Sequence, residues 1–219
     1  KFNKMKLLSN LICLCLIAGL ASCSNKTAEK KTEHSGYFGK LLSIKEAYHA
    51  EDSIVTAKAK TESKSVDDLV AAKSKLAKIE EDAKAEFNKE VAAMTLPIIL
   101  PFVDSTGNNA YIIKDVKITS FEWNKAILEA TVQLKVNSEK TMGGQNIQFS
   151  VPALLMDNTN QVIKEGTTDN WLILATTKEM KVGETQKVTG SFLINRANAA
   201  MNKVLFKSYE AYKKAKGWN

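Results

Sequence analysis

The sequence predicts an α+β fold: an N-terminal helical hairpin or short coiled coil, then an antiparallel β-sandwich, then a C-terminal helix. Three observations carry this. Apolar residues recur near the helical period from about 38 to 94, the period changes to 2 after Pro97, and helical spacing returns beyond Ile194. The parts implied are a leader over 1–22, a tether over 23–36, a helical region over 37–95, a β domain over 96–195 and a basic helix over 196–219.

The leader opens with the cations Lys1, Lys4 and Lys6, continues through an apolar run from Leu11 to Leu20, and closes on the small residues Ala21 and Ser22 before Cys23. That order is a secretory signal. Ten apolar residues fall well short of the roughly 20 that cross a bilayer as a helix, so a cleaved leader is the better reading. All three cysteines, Cys13, Cys15 and Cys23, lie in or at the end of this segment, so the region beyond it holds no disulfide and no cysteine nucleophile.

Leu20-Ala21-Ser22-Cys23 resembles the bacterial lipobox. That resemblance implies cleavage between Ser22 and Cys23, lipidation of Cys23 and attachment to a membrane through the lipid, with no spanning segment needed. Ser24 stands where the sorting logic of Gram-negative lipoproteins puts an inner-membrane aspartate. The implied location is therefore the outer membrane facing the periplasm, with the cell surface as the alternative.

Residues 24–36 are polar, carry no apolar period and read as a flexible tether. Leu41, Leu42, Tyr48 and Val55 then mark a first helix. Ser65 and Asp68 form an acidic capping box that starts a second, with the stripe Leu69, Ala72, Leu76, Ile79, Ala83, Phe87, Val91 and Met94, and Pro97 ends it. The pair reads either as a hairpin turning around Thr61–Lys64 or as one broken rod, packed within the chain or as a homo-oligomer through 66–94.

Period-2 alternation marks the strands: Val116 and Ile118, Leu128 to Val136, Ile147 to Leu155, and Val188 to Ile194, with Trp171–Ala175 more uniformly apolar. Turn chemistry at 105–109, 142–144, 157–160, 166–170 and 182–184 separates them. Six or seven strands with no helix between them point to an immunoglobulin-like sandwich, and Pro152 suggests an edge strand. The stretch from Asp169-Asn170-Trp171 through Val182-Gly183-Glu184 to Gly190-Ser191-Phe192 resembles the late strands of small immunoglobulin-like domains of secreted bacterial lipoproteins, a resemblance that implies fold and no activity. Ala197, Met201, Val204, Leu205, Ser208 and Tyr212 suggest a closing helix.

Charge is uneven. Residues 24–95 carry 13 basic and 13 acidic side chains, whereas 96–219 carry 15 against 11, so the net +4 beyond Cys23 lies in the second part. The basic tail holds Arg196, Lys203, Lys207, Lys213, Lys214 and Lys216 against Glu210. No zinc spacing or glycine-aromatic RNA motif accompanies it, which argues against nucleic acid and leaves an anionic membrane surface or a solvated helix face.

Chemistry is sparse. His34 and His49 have no ligand set around them, no Gly-x-Ser-x-Gly or phosphate loop occurs, and the acids of 67–68 and 80–82 fit a solvated helix, so neither cofactor nor metal is expected. Trp123 and Trp171 read as core residues, with a sugar-stacking platform as the alternative, and Trp218 as a helix-end anchor or a loose terminus. Asp52-Ser53-Ile54 and Asp104-Ser105-Thr106 resemble acceptors of a bacterial O-glycosylation system, which makes Ser53 and Ser105 the candidates. The expectation is a non-catalytic envelope lipoprotein that binds or assembles with an envelope protein or glycan. The alternatives are a carbohydrate- or ligand-binding accessory protein and a hydrolase without a recognisable motif.

Overall fold

The computed structural model describes residues 36–107, 111–135 and 149–218. Ser22, Cys23, the tether up to residue 35, Val136, Ile147 and the Met142–Gly144 turn lie outside the described residues. Glu33–Asn219 forms one compact unit.

Two helices, α1 (Gly39–Glu62) and α2 (Val66–Ala93), form the predicted hairpin, since the Lys40–Glu90 pair at 3.6 Å joins the start of one to the end of the other. The turn falls at Ser63–Ser65 because the capping box forms as read: Ser65 Oγ accepts from Asp68 N–H at 3.2 Å, and Asp68 Oδ2 accepts from Ser65 N–H at 3.0 Å. Among the described residues no helix is long and apolar enough to cross a membrane.

Among the described residues ten strands follow: β1 (Ile98–Ile99), β2 (Phe102–Ser105), β3 (Tyr111–Glu122), β4 (Lys125–Leu134), β5 (Phe149–Asp157), β6 (Lys164–Glu165), β7 (Thr168–Asp169), β8 (Trp171–Thr176), β9 (Thr185–Leu193) and β10 (Met201–Lys207). β6 and β7 pair as a small hairpin turning at Gly166 and Thr167. The other eight form one mixed sheet in the order β1, β3, β4, β9, β8, β5, β10, β2, curled into a half-barrel.

Two features depart from the expected antiparallel two-sheet sandwich. β2 runs parallel to β10, whereas β1 is antiparallel to β3, so one extended segment serves both outer edges of the sheet and changes partner at Leu100–Pro101. Backbone bonds continue through that change, from Leu100 N–H to the Val116 carbonyl at 2.9 Å and from Val204 N–H to the Pro101 carbonyl at 3.1 Å. Secondly, β8 and β9 are joined by a single pair, Ala175 opposite Thr189. The sheet is thus continuous, but narrows there between two four-stranded leaves.

The expected helix over 196–219 is corrected: a 3₁₀ turn at Asn198–Ala200 leads into strand β10, and only α3 (Tyr209–Ala215) is α-helical. The register of β10 against β5 shifts between Met201 and Lys203, and this bulge breaks the period-2 pattern that would otherwise mark a strand. Pro152 is corrected too. It is buried in β5, which lies between β8 and β10. The ladder with β10 stops at Ala153, so a residue without an N–H sits just beyond the end of one neighbour.

The main core lies on one face of the sheet. Ile118, Leu128, Ala130, Val132, Leu155 and Leu174 meet Phe38, Leu41, Leu42 and Phe87 from the hairpin there. Phe87 is the one buried residue of α2. Trp123, at the β3–β4 turn, stands edge-on to Phe87 (5.2 Å) and to Tyr48 (5.6 Å) and holds both helices to the sheet. A second, smaller cluster of Leu154, Met156 and Leu205 lies on the other face, with Trp171 packed against it.

Candidate binding groove

Beyond the single β8–β9 pair the two strands diverge, and a groove of about 340 Å³ opens between Trp171–Ile173 and Ser191–Leu193. Gly190 marks the closest approach of the two strands beside the groove. A Cβ at this position would stand 2.7 Å from the Ile173 carbonyl oxygen, so only glycine lets the strands approach before they part. Lys125, Glu165 and Asn170 complete the walls. The mixture of an apolar floor and a few convergent polar groups is what small-molecule and segment-binding sites share.

One end of the groove is tied by a buried amide. Asn198, fully buried, donates from Nδ2 to the Leu193 carbonyl at 2.8 Å and accepts from Asn170 Nδ2 at 3.2 Å, linking the start of β8 to the end of β9 where no ladder pair does so. The next carbonyl, Ile194, accepts from the buried Lys45 ammonium at 2.9 Å, and Arg196 pairs with Glu46. α1 therefore braces the corner that shapes the groove. Burial lowers the Lys45 ammonium below the usual lysine range.

The groove has one carboxylate, Glu165, and one amine, Lys125, which pairs outward with Glu122 at 3.2 Å. Among the described residues no hydrogen bond joins Ser191 to either, and no group of three His, Cys, Asp or Glu stands close enough to hold a metal. The groove thus sets one acid, one amine, an amide and a hydroxyl around an apolar floor.

The other sequence-derived candidates are scattered. Trp123 and Trp171 pack against different clusters and share no platform, while Trp171 lines the groove. Ser53 is exposed in α1 with its hydroxyl donating to the His49 carbonyl at 2.7 Å. Ser105 is exposed at the end of edge strand β2, beside Asp104, whose Oδ1 accepts from Thr106 N–H and Oγ1. Within 66–94 the exposed apolar residues Val66, Leu69 and Val70 gather at the hairpin's turn end. Sequence reasoning missed Asn198, Gly190 and Lys45. The only signal for Gly190 was a glycine inside an alternating strand.

No family model, curated protein or solved structure matches the chain.

Proposed function

We propose that this chain is an exported envelope lipoprotein, lipidated on Cys23 after cleavage at Ser22, that works by binding rather than catalysis, with the β8–β9 groove as its site. The observation that carries the binding role is the groove itself: Gly190 lets β8 and β9 approach beside it, Asn198 ties its end, and its walls combine Trp171, Leu193, Asn170 and Ser191. The lipobox residues support attachment to a membrane, and Ser24 supports the outer membrane with the body in the periplasm. The narrowing of the sheet between two four-stranded leaves supports kinship with immunoglobulin-like sandwiches, while the parallel β2–β10 pair sets it apart from the purely antiparallel kind.

The test is photo-crosslinking in intact cells from a reactive residue at position 193. Discrete adducts are expected, and Ser191→Arg, which fills the groove from an exposed position, should remove them. Adducts that persist unchanged beside Ser191→Arg would sink the assignment. A carbohydrate ligand is the second reading, favoured by Trp171 beside Asn170 and Glu165. Glycan-array binding lost in Ser191→Arg supports it. Pairing of two copies through Val66, Leu69 and Val70 is supported by their exposure, and a mass unchanged by Leu69→Lys in sedimentation equilibrium would count against it.

A further inference from the structure

A second surface is built where β10 gives way to α3. Ser208 starts the helix by accepting from Ala211 N–H at 3.1 Å. The helix stops at Gly217, whose φ of +70° suits glycine. Gly217 N–H bonds the Lys214 carbonyl at 3.2 Å and Trp218 N–H bonds the Lys213 carbonyl at 3.0 Å, the paired bonds of a Schellman cap. That cap turns Trp218 back onto Tyr212, edge-on at 5.6 Å, and Tyr212 is itself buried against Trp171 at 5.4 Å. Trp218 is therefore held in place, yet remains 51% exposed.

Three lysines, Lys213, Lys214 and Lys216, belong to the same short helix and its cap. Lys213 and Lys216 lie 5.8 Å from the centres of the Tyr209 and Tyr212 rings, and Lys214 is exposed beside them. Glu210, the helix's one acid, is paired with Lys213 at 2.7 Å. A fixed, half-exposed indole at the end of a helix that carries three lysines on flexible stems matches the boundary layer of a bilayer, where tryptophan sits at headgroup depth and lysine reaches the phosphates. A free phosphate would need donors converging on one point. Here two of the three ammonium groups lie against aromatic rings instead.

We propose that Trp218, Lys213, Lys214 and Lys216 dock this protein on a bilayer surface that contains anionic phospholipid. The contact is reversible, since one indole and three lysines fall well short of a spanning segment, and it adds to an N-terminal lipid rather than replacing it.

The test uses the unlipidated chain from Ser24 on, which contains the whole compact unit Glu33–Asn219. Flotation with phosphatidylcholine vesicles holding about 30% phosphatidylglycerol should show binding at least roughly tenfold tighter than to pure phosphatidylcholine, fading as salt rises toward ~0.5 M. The indole emission should shift to the blue on binding. Trp218→Ser should remove that shift and weaken binding about tenfold, and Lys214→Glu with Lys216→Glu should reduce it to the neutral-vesicle level, with helix content unchanged by circular dichroism. Three results would overturn the proposal: equal binding to neutral vesicles, anionic binding indifferent to Trp218→Ser, or tighter binding to a single-stranded oligonucleotide than to the vesicles.

Discussion

Phe87→Ala is the sharpest probe of how the hairpin is attached. α2 is a helix of 28 residues, yet Phe87 is its one buried side chain, at 0% exposure, with Trp123 edge-on at 5.2 Å. Truncating a fully buried phenylalanine costs about 3–5 kcal/mol through lost transfer energy and the cavity left behind. The edge-to-face pair with Trp123 accounts for roughly 0.5–1.5 kcal/mol beyond area burial. Set against a domain stability of about 5–15 kcal/mol, the loss removes from about a fifth of the total to all of it. At roughly 2–4 °C per kcal/mol for a unit of this size, Tm should fall by about 6–20 °C. Urea unfolding followed by circular dichroism and by indole fluorescence measures it, because Trp123 reports the hairpin contact directly. Leu69→Ala, at a position 53% exposed near the turn, serves as the contrast and should stay within about 0.5 kcal/mol of wild type. If Phe87→Ala costs under about 1 kcal/mol, or Leu69→Ala costs as much, the hairpin is not held as described.

Other outcomes follow from single contacts. Asn198→Ala should destabilise by about 1–3 kcal/mol in urea, since it leaves the Leu193 carbonyl without its side-chain donor, and should also loosen any ligand of the groove. Gly190→Ala places a methyl against the Ile173 carbonyl and should separate β8 from β9, read as early hydrogen exchange at Thr189. The Asp68 and Asp157 carboxyls are held below their ordinary value of 3.8, Asp68 chiefly by the Lys64 N–H and the Ser65 side chain, Asp157 chiefly by the Thr159 side chain and the Gln161 N–H. Their contribution is complete above that ordinary value and disappears as pH falls through the lowered ones, so Asp68→Asn with Asp157→Asn should flatten the acid limb of a stability-pH curve. Lys45 runs the other way. Its lowered value penalises the charged folded state, so its share of stability should rise as pH climbs toward 10.5, and a Lys45→Met chain should lack that rise. Cys23→Ser should move the protein from the membrane to the soluble fraction in a high-salt wash, and an unchanged membrane fraction would count against the lipobox.

How much of this was legible depended on whether an element kept its period. The hairpin was readable because Ser65 and Asp68 are a local cap and Phe87 continues a helical stripe. β3, β4 and β9 were readable from alternation, which holds where one face is buried, whereas β5 is buried on both faces and shows the period only in part. β1 and β2 have two and four residues, too few for a period to appear, and their partners are set by the ends of the sheet. β10 was hidden by its bulge, and its buried run Val204, Leu205 and Phe206 fits a helix as well as a strand. Trp171 was singled out by sequence, but the groove it lines is created by register. Nothing in one strand's residues says that its neighbour will part from it after a single pair.

The aromatic corner and the proposed lipid also constrain each other. The described chain begins at Gly36, with φ +104°, packed so closely that a Cβ would meet the Ala199 carbonyl oxygen at 2.5 Å. From there β10 carries the chain across seven residues, roughly 23 Å, to α3 and Trp218. The stretch from Cys23 to Gly36, drawn out fully, covers at most about 45 Å. A lipid on Cys23 therefore leaves the aromatic corner within reach of the same bilayer, and a contact too weak to hold a free protein gains from the high effective concentration the tether imposes. The same arithmetic predicts a dependence on tether length. Doubling the polar residues between Cys23 and Gly36 should lower the effective concentration at the corner roughly threefold, following the roughly −3/2 power, whereas shortening the stretch to four or five residues, roughly 17 Å at full extension, should prevent simultaneous engagement. The blue-shifted emission of Trp218 in the lipidated, vesicle-bound protein would distinguish the two, and an emission indifferent to both changes would show that lipid and corner do not share a membrane.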